Sequence, residues 1–172
     1  STSFGQSMKV TPIQLITATS AAVNGGYLMQ PYIVKQILDP QGNVLETTQP
    51  TVKRQVISNQ ASETMRTLVE AVVQGGSGRF SAIPGYRIGG KTGTSQKLDQ
   101  GMSGHILSFV GFAPMEDPEI ACLVLLDEPE LQNAYGSVIA APVVGAVLNE
   151  VLPYLGYQPQ FTAEELAEKE IS

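Results

Sequence analysis

The chain has 172 residues, a mass of 18.3 kDa and 42% apolar residues, which is enough for one globular domain with a hydrophobic core. Only 15% of the residues are charged and low-complexity tracts are absent, so the composition excludes a disordered tail, a coiled coil and a collagen-like rod. The formal net charge of −6 argues against a nucleic-acid-binding protein, whose electrostatic footprint would be a basic face.

The charge is unevenly distributed along the chain. Residues 1–115 carry 9 basic and 5 acidic side chains, a balance of +4, whereas residues 116–172 carry 1 and 11, a balance of −10. The net-basic first part could therefore receive a small anionic substrate. Cys122 is the only cysteine and His105 the only histidine, so the sequence predicts no intramolecular disulfide, no metal site and no cofactor.

The sequence shows no membrane-spanning segment and no signal peptide at its start. The longest apolar run, Val138–Leu148, is too short to span a bilayer, and no signal peptide opens the sequence. Because the chain begins at Ser1 without an initiator methionine, we expect it to be part of a longer protein.

The first half of the sequence predicts a helix, a hairpin and a second helix. Thr11 and Gln14 form a capping box with proline at the first helical position, and the helix ends at Asn24-Gly25-Gly26. Two strands, Tyr32–Leu38 and Val44–Thr48, are joined by a turn of residues that favour turn geometry. A second helix is predicted over Gln60–Val73.

The second half predicts strands followed by a final helix. The polar, glycine-rich segment Ser77–Gly104 contains an extended strand, and Leu107–Ala113 and Ile120–Leu126 are predicted as an antiparallel pair. The last of these is apolar on both faces, which is typical of a strand inside a covered sheet. Ser137–Leu155 is predicted to be a helix, and Phe161–Ser172 a charged surface helix or linker. The order predicts an α+β fold with an antiparallel sheet flanked by helices.

One lysine motif has two interpretations. Gly85–Thr92 spells the phosphate-loop pattern Gly-x-x-x-x-Gly-Lys-Thr, and Asp127 ends an apolar strand about 35 residues later, so a nucleotide-binding protein is one alternative. A phosphate loop, however, must follow a buried strand and open into a helix, whereas a proline precedes this motif and glycines follow it. In the second interpretation Lys91–Ser95 is an extended strand whose cation and hydroxyls receive a carboxylate.

Several motifs in order make the second interpretation specific. Phe4–Leu15 and Ala21–Gly26 resemble the helix that precedes the Lys-Thr-Gly strand in class B penicillin-binding proteins, and Gly89–Gln96 and Ser108–Pro114 resemble the third and fourth strands of that family's sheet. The resemblance covers Phe4 to Leu155. It implies the penicillin-binding protein and serine β-lactamase-like transpeptidase fold, with residues 1–156 as the C-terminal portion of the transpeptidase domain and 157–172 as a charged helix or linker.

The resemblance also implies roles for individual residues. Lys91 would hold the active-site hydrogen-bond network and supply positive potential, and Thr92 and Thr94 would bind the carboxylate of a stem peptide or a β-lactam. The backbone N–H of Thr94 would form one arm of the oxyanion hole. Gly93 would keep the strand surface low, and Ser95 would complete the substrate-binding strand.

The family's nucleophile motif is absent from the chain. No serine is followed three positions later by lysine, and no Ser-x-Asn occurs. Since nucleophilic catalysis needs a hydroxyl paired with a base, we expect this chain alone to be inactive and the serine to lie upstream. The expected partners are the remaining N-terminal part of the same domain, which would cover the apolar edge of Ile120–Leu126, together with peptidoglycan stem peptides and β-lactams.

The family implies a membrane-anchored protein with its catalytic domain on the outer side, acting in elongation, division or sporulation. A D,D-carboxypeptidase, a β-lactam sensor and a catalytically empty peptidoglycan-binding module remain alternatives. Three flanking side chains, Arg79, Tyr86 and Arg87, are interpreted as surface residues that can also assist the approach of an anionic substrate. His105 is interpreted as a structural histidine, and the acids at 116, 117, 119, 127 and 128 as turn and loop residues.

Overall fold

The computed structural model describes residues 9–97, 104–130 and 135–160. They form three α-helices and seven β-strands in an α+β arrangement. In chain order these are α1 Pro12–Val23, β1 Tyr27–Met29, β2 Gln36–Leu38, β3 Val44–Thr47, β4 Val52–Gln55, α2 Asn59–Gln74, β5 Gly89–Gln96, β6 His105–Ala113, β7 Ile120–Asp127 and α3 Gly136–Tyr154. A short 3₁₀ helix, Arg79–Ser81, lies between α2 and β5.

The main sheet is antiparallel and has the order β5-β6-β7. β5 pairs with β6 from Gly89↔Phe112 to Gln96↔His105, and β6 pairs with β7 from Ile106↔Asp127 to Ala113↔Ile120. The short turn between β6 and β7 gives the predicted antiparallel pair. β6 is therefore the central strand, and its residues Phe109–Ala113 are buried.

Helices cover both faces of this sheet. Successive residues of β6 point to opposite faces, so Phe109 packs with Val144 and Leu148 of α3, whereas Val110 packs with Val69 of α2 and Val23 of α1. The fold has three layers: α1 and α2, the sheet, and α3. Burial on both faces explains why β6 and β7 are nearly continuously apolar.

The helix boundaries follow the predicted signals. The Thr11 side chain accepts from the Gln14 backbone N–H while the Gln14 side chain accepts from the Thr11 N–H, so the predicted capping box is present. Helix α2 begins after Ser58, whose side chain accepts from the Ala61 N–H, and ends at Gly75. Both helices match the prediction to within one residue.

The β-strands between α1 and α2 differ from the prediction. The first predicted hairpin strand begins at Gln36 instead of Tyr32, and β2 pairs with β3. The sequence did not predict β1 or β4, which pair antiparallel with each other. β1 has three residues, and β4 is the polar run Val52-Lys53-Arg54-Gln55, so neither has the apolar alternation that reveals a strand.

Helix α3 is the one helix in the described ranges that is long and apolar enough to cross a membrane. It runs through Pro142 and contributes core residues with no exposed surface, and Gly145 lies against the Ser81 backbone. These fully buried residues are Ala140, Ala141, Val144, Leu148 and Leu152. Within the described fold, α3 is therefore a core helix packed on the sheet.

The predicted C-terminal segment Phe161–Ser172 lies outside the described residues. Just before it, the backbone carbonyl of Tyr157 accepts from the Tyr86 hydroxyl at 3.0 Å, and the Gln160 side chain donates to Glu116 at 2.7 Å. Residues 157–160 thus contact the loop before β5 and the β6–β7 turn. The domain boundary at 156 stays a prediction.

Candidate active site

Strand β5 lies at one edge of the main sheet and carries the predicted site residues. One side of the strand pairs with β6, and within the described part of the chain its other side pairs with no strand. Lys91, Thr94 and Ser95 are exposed, and Thr92 and Gly93 are half-buried. An edge strand with open backbone groups can accept an extended peptide as an additional strand.

Lys91 supplies an uncompensated positive charge at this edge. Its Nζ donates to the Thr92 carbonyl oxygen at 2.9 Å and lies 3.3 Å from the Thr92 Oγ1. Among the residues that the structure describes, no carboxylate forms an ion pair with it. The ammonium is therefore available to attract an anion.

The hydroxyls of β5 lie on both faces of the strand. Thr92 pairs with Phe109 and Thr94 with Leu107, so both threonines share the face covered by α3. Ser95 pairs with Ile106 and lies on the opposite face with Lys91. Within the described residues the Thr94 and Ser95 hydroxyls have no hydrogen-bond partner, which leaves them free to bind a ligand.

A side chain at position 93 would crowd a hydroxyl on the neighbouring strand. A Cβ built there would lie 2.4 Å from the Ser108 Oγ on the neighbouring strand. On the other face, Gly136 at the start of α3 lies close to two backbone carbonyls. A Cβ added to Gly136 would lie 2.6 Å from the Ser108 carbonyl oxygen and 3.0 Å from the Gly93 carbonyl oxygen. Glycine at 93 avoids this contact, and glycine at 136 lets α3 begin directly behind the strand.

Two other basic residues near β5 have contacts of their own. Arg87 donates to both carboxylate oxygens of Glu70 at 2.6 Å and to Glu116 at 3.1 Å, and the hydrogen bond to Glu70 raises the pKa of Arg87. The Arg79 guanidinium lies 4.6 Å from the centroid of the Phe80 ring. Both side chains are exposed, as expected of surface residues, and a role in the approach of an anionic substrate stays a prediction.

A second ion-pair cluster lies just after the C-terminal end of β5. Lys97 lies 2.6 Å from Asp127 and 2.9 Å from Glu128, and hydrogen bonds to Asp127 first and Glu128 second raise the pKa of Lys97. His105 pairs with Gln96 at the start of β6 and accepts from the Glu128 backbone N–H through its carbonyl. The acids predicted to mark the loop after β7 thus connect β5 to β7.

The phosphate-loop alternative is wrong on geometry. Gly89 to Thr92, the second half of that motif, lie inside β5 and open into more strand, whereas a phosphate loop opens into a helix N-terminus. Asp127, the acid that would hold magnesium, pairs with Lys97. In the described ranges there is no group of three or more His, Cys, Asp and Glu side chains placed to bind a metal ion.

Two features of the site were not predicted from the sequence. The Ser77 Oγ lies 3.4 Å from the Thr92 Oγ1, although 15 positions separate them. The Arg87–Glu70 pair fixes the start of β5 to α2 and spans 17 positions. The only local signal was the run Gly75-Gly76-Ser77-Gly78, in which a single side chain stands among glycines.

The sequence matches one protein family over most of its length. A sequence model described as the penicillin-binding protein transpeptidase domain matches residues 1–149. Stage V sporulation protein D of Bacillus subtilis (strain 168) is 45% identical over 163 residues, which cover 92% of this chain and 25% of that protein. The peptidoglycan D,D-transpeptidase FtsI homolog of Mesostigma viride is 36% identical over 167 residues, covering 88% and 28%.

Solved structures give the same result. The transpeptidase domain of Burkholderia pseudomallei penicillin-binding protein 3 superposes with a TM-score of 0.75 at 31% identity, covering 94% of this chain and 47% of that one. Penicillin-binding protein A from M. tuberculosis, solved as a ceftriaxone acyl-enzyme complex, has a TM-score of 0.80 at 28% identity, covering 88% and 34%.

The chain spans about a quarter of the length of the two curated relatives. The match nevertheless includes β5 and all of the predicted site residues, and it joins a shared fold to a shared sequence. The chain belongs to the penicillin-binding protein transpeptidase family.

Proposed function

We propose that this chain supplies the substrate-binding strand of a peptidoglycan D,D-transpeptidase that cross-links stem peptides and binds β-lactams. The observation that carries the proposal is the edge of β5 that pairs with no strand among the described residues. There Lys91, which has no carboxylate partner in the described part of the chain, lies on the same strand as the hydroxyls of Thr92, Thr94 and Ser95. An acyl-D-Ala-D-Ala peptide can add to this edge as a strand, with its terminal carboxylate at the hydroxyls.

Each residue of the strand has a defined part in this proposal. Thr92 and Thr94 donate to the carboxylate, Lys91 supplies positive potential and orients the hydrogen-bond network, and Ser95 extends the binding strand. The Thr94 N–H stabilises the oxyanion of the tetrahedral intermediate, a contribution of about 3–4 kcal/mol for a single donor in such sites. Gly93 leaves room for the substrate backbone.

The covalent steps need a serine that this sequence does not contain in the required motif. We place that serine and its lysine in another part of the complete transpeptidase, meaning the protein of which this chain is one part. The serine oxygen attacks the D-Ala-D-Ala carbonyl, and the terminal D-Ala leaves with the proton on its amine. An amine of a second stem peptide then attacks the acyl-enzyme ester, which forms the cross-link and returns the proton to the serine.

The open edge of β7 supports the same division of the domain. All residues of β7 from Ile120 to Leu126 are half-buried, and one edge of the strand is unpaired in the described sheet. A groove of about 230 Å³ lies between α1 and Ala121, and Ile13 of α1 is 55% exposed. The rest of the same domain is the proposed partner, because an apolar edge needs permanent cover.

The name of the sporulation relative and the family resemblance lead us to place the complete protein in cell-wall synthesis during sporulation or division. The resemblance further implies an anchor in the cell membrane, with this domain outside. The functional test uses the purified complete transpeptidase. We expect it to join a stem peptide to an acceptor amine and to be acylated by penicillin. Hydrolysis without transfer to the amine would instead favour a D,D-carboxypeptidase.

The Thr94 hydroxyl gives a sharper test. Thr94→Val keeps the backbone N–H and the branched shape of the side chain but removes the hydroxyl. Losing one hydrogen bond to a charged carboxylate costs about 1.5–3 kcal/mol, so the rate constant for acylation should fall about 10- to 150-fold. Thr67→Val, an exposed position on α2, is the matched control and should leave the rate unchanged. Equal rates for both variants would contradict the assignment of Thr94.

A further inference from the structure

The loop after α2 is held rigidly beside β5. The backbone N–H groups of Gly76 and Gly78 both donate to the Val72 carbonyl, at 3.1 Å and 2.9 Å. A Cβ on Gly76 would lie 2.8 Å from that carbonyl oxygen, and a Cβ on Gly78 would lie 3.2 Å from the Phe109 ring. The two glycines therefore let the loop pack against both the end of α2 and the sheet. Ser77, which lies between Gly76 and Gly78 in the sequence, is held in position by these contacts.

Ser77 is exposed, and its hydroxyl is adjacent to that of Thr92. The two oxygens lie 3.4 Å apart, and the Thr92 Oγ1 lies 3.3 Å from the Lys91 Nζ. A separation of 3.4 Å is long for an O–H···O hydrogen bond, which is usually 2.5–3.0 Å. The two hydroxyls are therefore neighbours that can both donate to a third atom.

The chemistry of this group is that of an anion receptor. Two hydroxyl donors and an ammonium meet at one place, and no described carboxylate pairs with the ammonium. A ligand carboxylate offers two oxygens with several lone pairs and can accept from two neighbouring hydroxyls at once. A neutral ester or amide lacks the charge that strengthens these bonds.

We propose that Ser77 is a further substrate-binding residue, which donates its hydroxyl to the same carboxylate that Thr92 binds and so favours anionic over neutral ligands. The inference rests on the proposed function, since it assigns the carboxylate of the stem peptide or β-lactam to this edge of β5. It adds a residue from outside the strand to the receptor and makes the end of α2 part of the binding site.

The test compares a β-lactam carboxylate with its methyl ester in the complete transpeptidase. The variants are Ser77→Ala, Ser77→Thr and, as a control that removes an exposed hydroxyl from α2, Thr64→Ala. We expect Ser77→Ala to slow acylation by the carboxylate about tenfold, as for one hydrogen bond to a charged group, and to leave acylation by the ester unchanged. Ser77→Thr should restore most of the rate, and Thr64→Ala should have no effect.

The outcomes separate this inference from the proposed function. If Thr92→Val slows acylation by the carboxylate but Ser77→Ala does not, the site stands and the role of Ser77 is overturned. If Ser77→Ala slows the carboxylate and the ester equally, or lowers the melting temperature, Ser77 is structural and the inference is again overturned. If the complete transpeptidase without substitutions is not acylated at all, the proposed function fails and the inference fails with it.

Discussion

Glycine at position 93 avoids a clash that any larger residue would make with one hydroxyl on the neighbouring strand. Because a Cβ there would lie 2.4 Å from the Ser108 Oγ, Gly93→Ala should destabilise the complete transpeptidase by about 1 kcal/mol, as mild overpacking does. When Ser108→Ala removes that oxygen, the same substitution should stabilise by about 0.5–1 kcal/mol, since glycine inside a strand is unfavourable relative to alanine.

A double-mutant cycle measured by thermal unfolding checks this pair. The sign of the Gly93→Ala effect should reverse between the two backgrounds. If the two substitutions are additive, Ser108 does not set the preference for glycine at position 93.

Residues of the site that are contiguous in sequence could be predicted, and residues brought together by folding could not. Lys91 to Ser95 are contiguous and were predicted as one extended strand, which is part of β5; their roles come from the family resemblance. Ser77 reaches Thr92 only because α2 ends against the sheet, and no pattern of residue types records that contact. The Arg87–Glu70 pair could not be predicted for the same reason, because folding brings these two residues together across 17 positions.

At the scale of elements, the Glu70–Arg87 pair sets the position of β5 against α2. The Glu70 side chain is only 9% exposed and receives two short hydrogen bonds from Arg87. The Met115 backbone N–H also donates to the Arg87 carbonyl at 3.1 Å, which ties the same residue to the turn after β6. The start of the substrate-binding strand is thereby fixed on two sides.

We expect Glu70→Gln to lower the free energy of unfolding by about 1–2 kcal/mol, because one charge-assisted bidentate pair is lost. The effect stays below that of a fully buried pair because the Arg87 side chain is 46% exposed. Glu116→Gln, at the exposed second partner of Arg87, is the matched control and should cost less than about 1 kcal/mol. Urea denaturation measures both, and equal losses would show that Glu70 has no special role.

Helices and strands were predicted correctly where the apolar pattern was long or where capping and helix-ending residues marked the boundaries. The three helices have caps, glycine stops or long apolar runs, and β6 and β7 are long and apolar, so all five were predicted to within about two residues. The strands β1 and β4 were not predicted, because β1 is only three residues long and β4 is four residues with mainly polar side chains, so neither shows the periodicity that marks a strand. Their pairing depends on the turn at Gly26 and on the Val56 N–H, which donates to the Gly26 carbonyl at 2.7 Å.

On the scale of the whole molecule, the two edges of the main sheet differ in chemistry. The β5 edge is polar, with exposed lysine and hydroxyl side chains, which suits a substrate that binds and leaves. The β7 edge is apolar along its length, and burial there raises the pKa of the Cys122 thiol. The sequence predicted β7 as an interior strand, and within the described sheet it is an edge strand, which is the expected state of a sheet whose remaining strands lie elsewhere.

Penicillin labelling of the complete transpeptidase, with Lys91→Met and Lys97→Met compared, tests the central claim most directly. Both lysines lie at β5, but Lys97 is neutralised by Asp127 and Glu128, whereas Lys91 has no described carboxylate partner. We expect peptide mapping to find the label on a serine outside these 172 residues. Lys91→Met should slow labelling at least about 100-fold, equivalent to roughly 2.7 kcal/mol of activation free energy. Lys97→Met should be labelled at nearly the same rate as the protein without substitutions. Label on a residue of this chain, or equal rates for the two variants, would contradict the account.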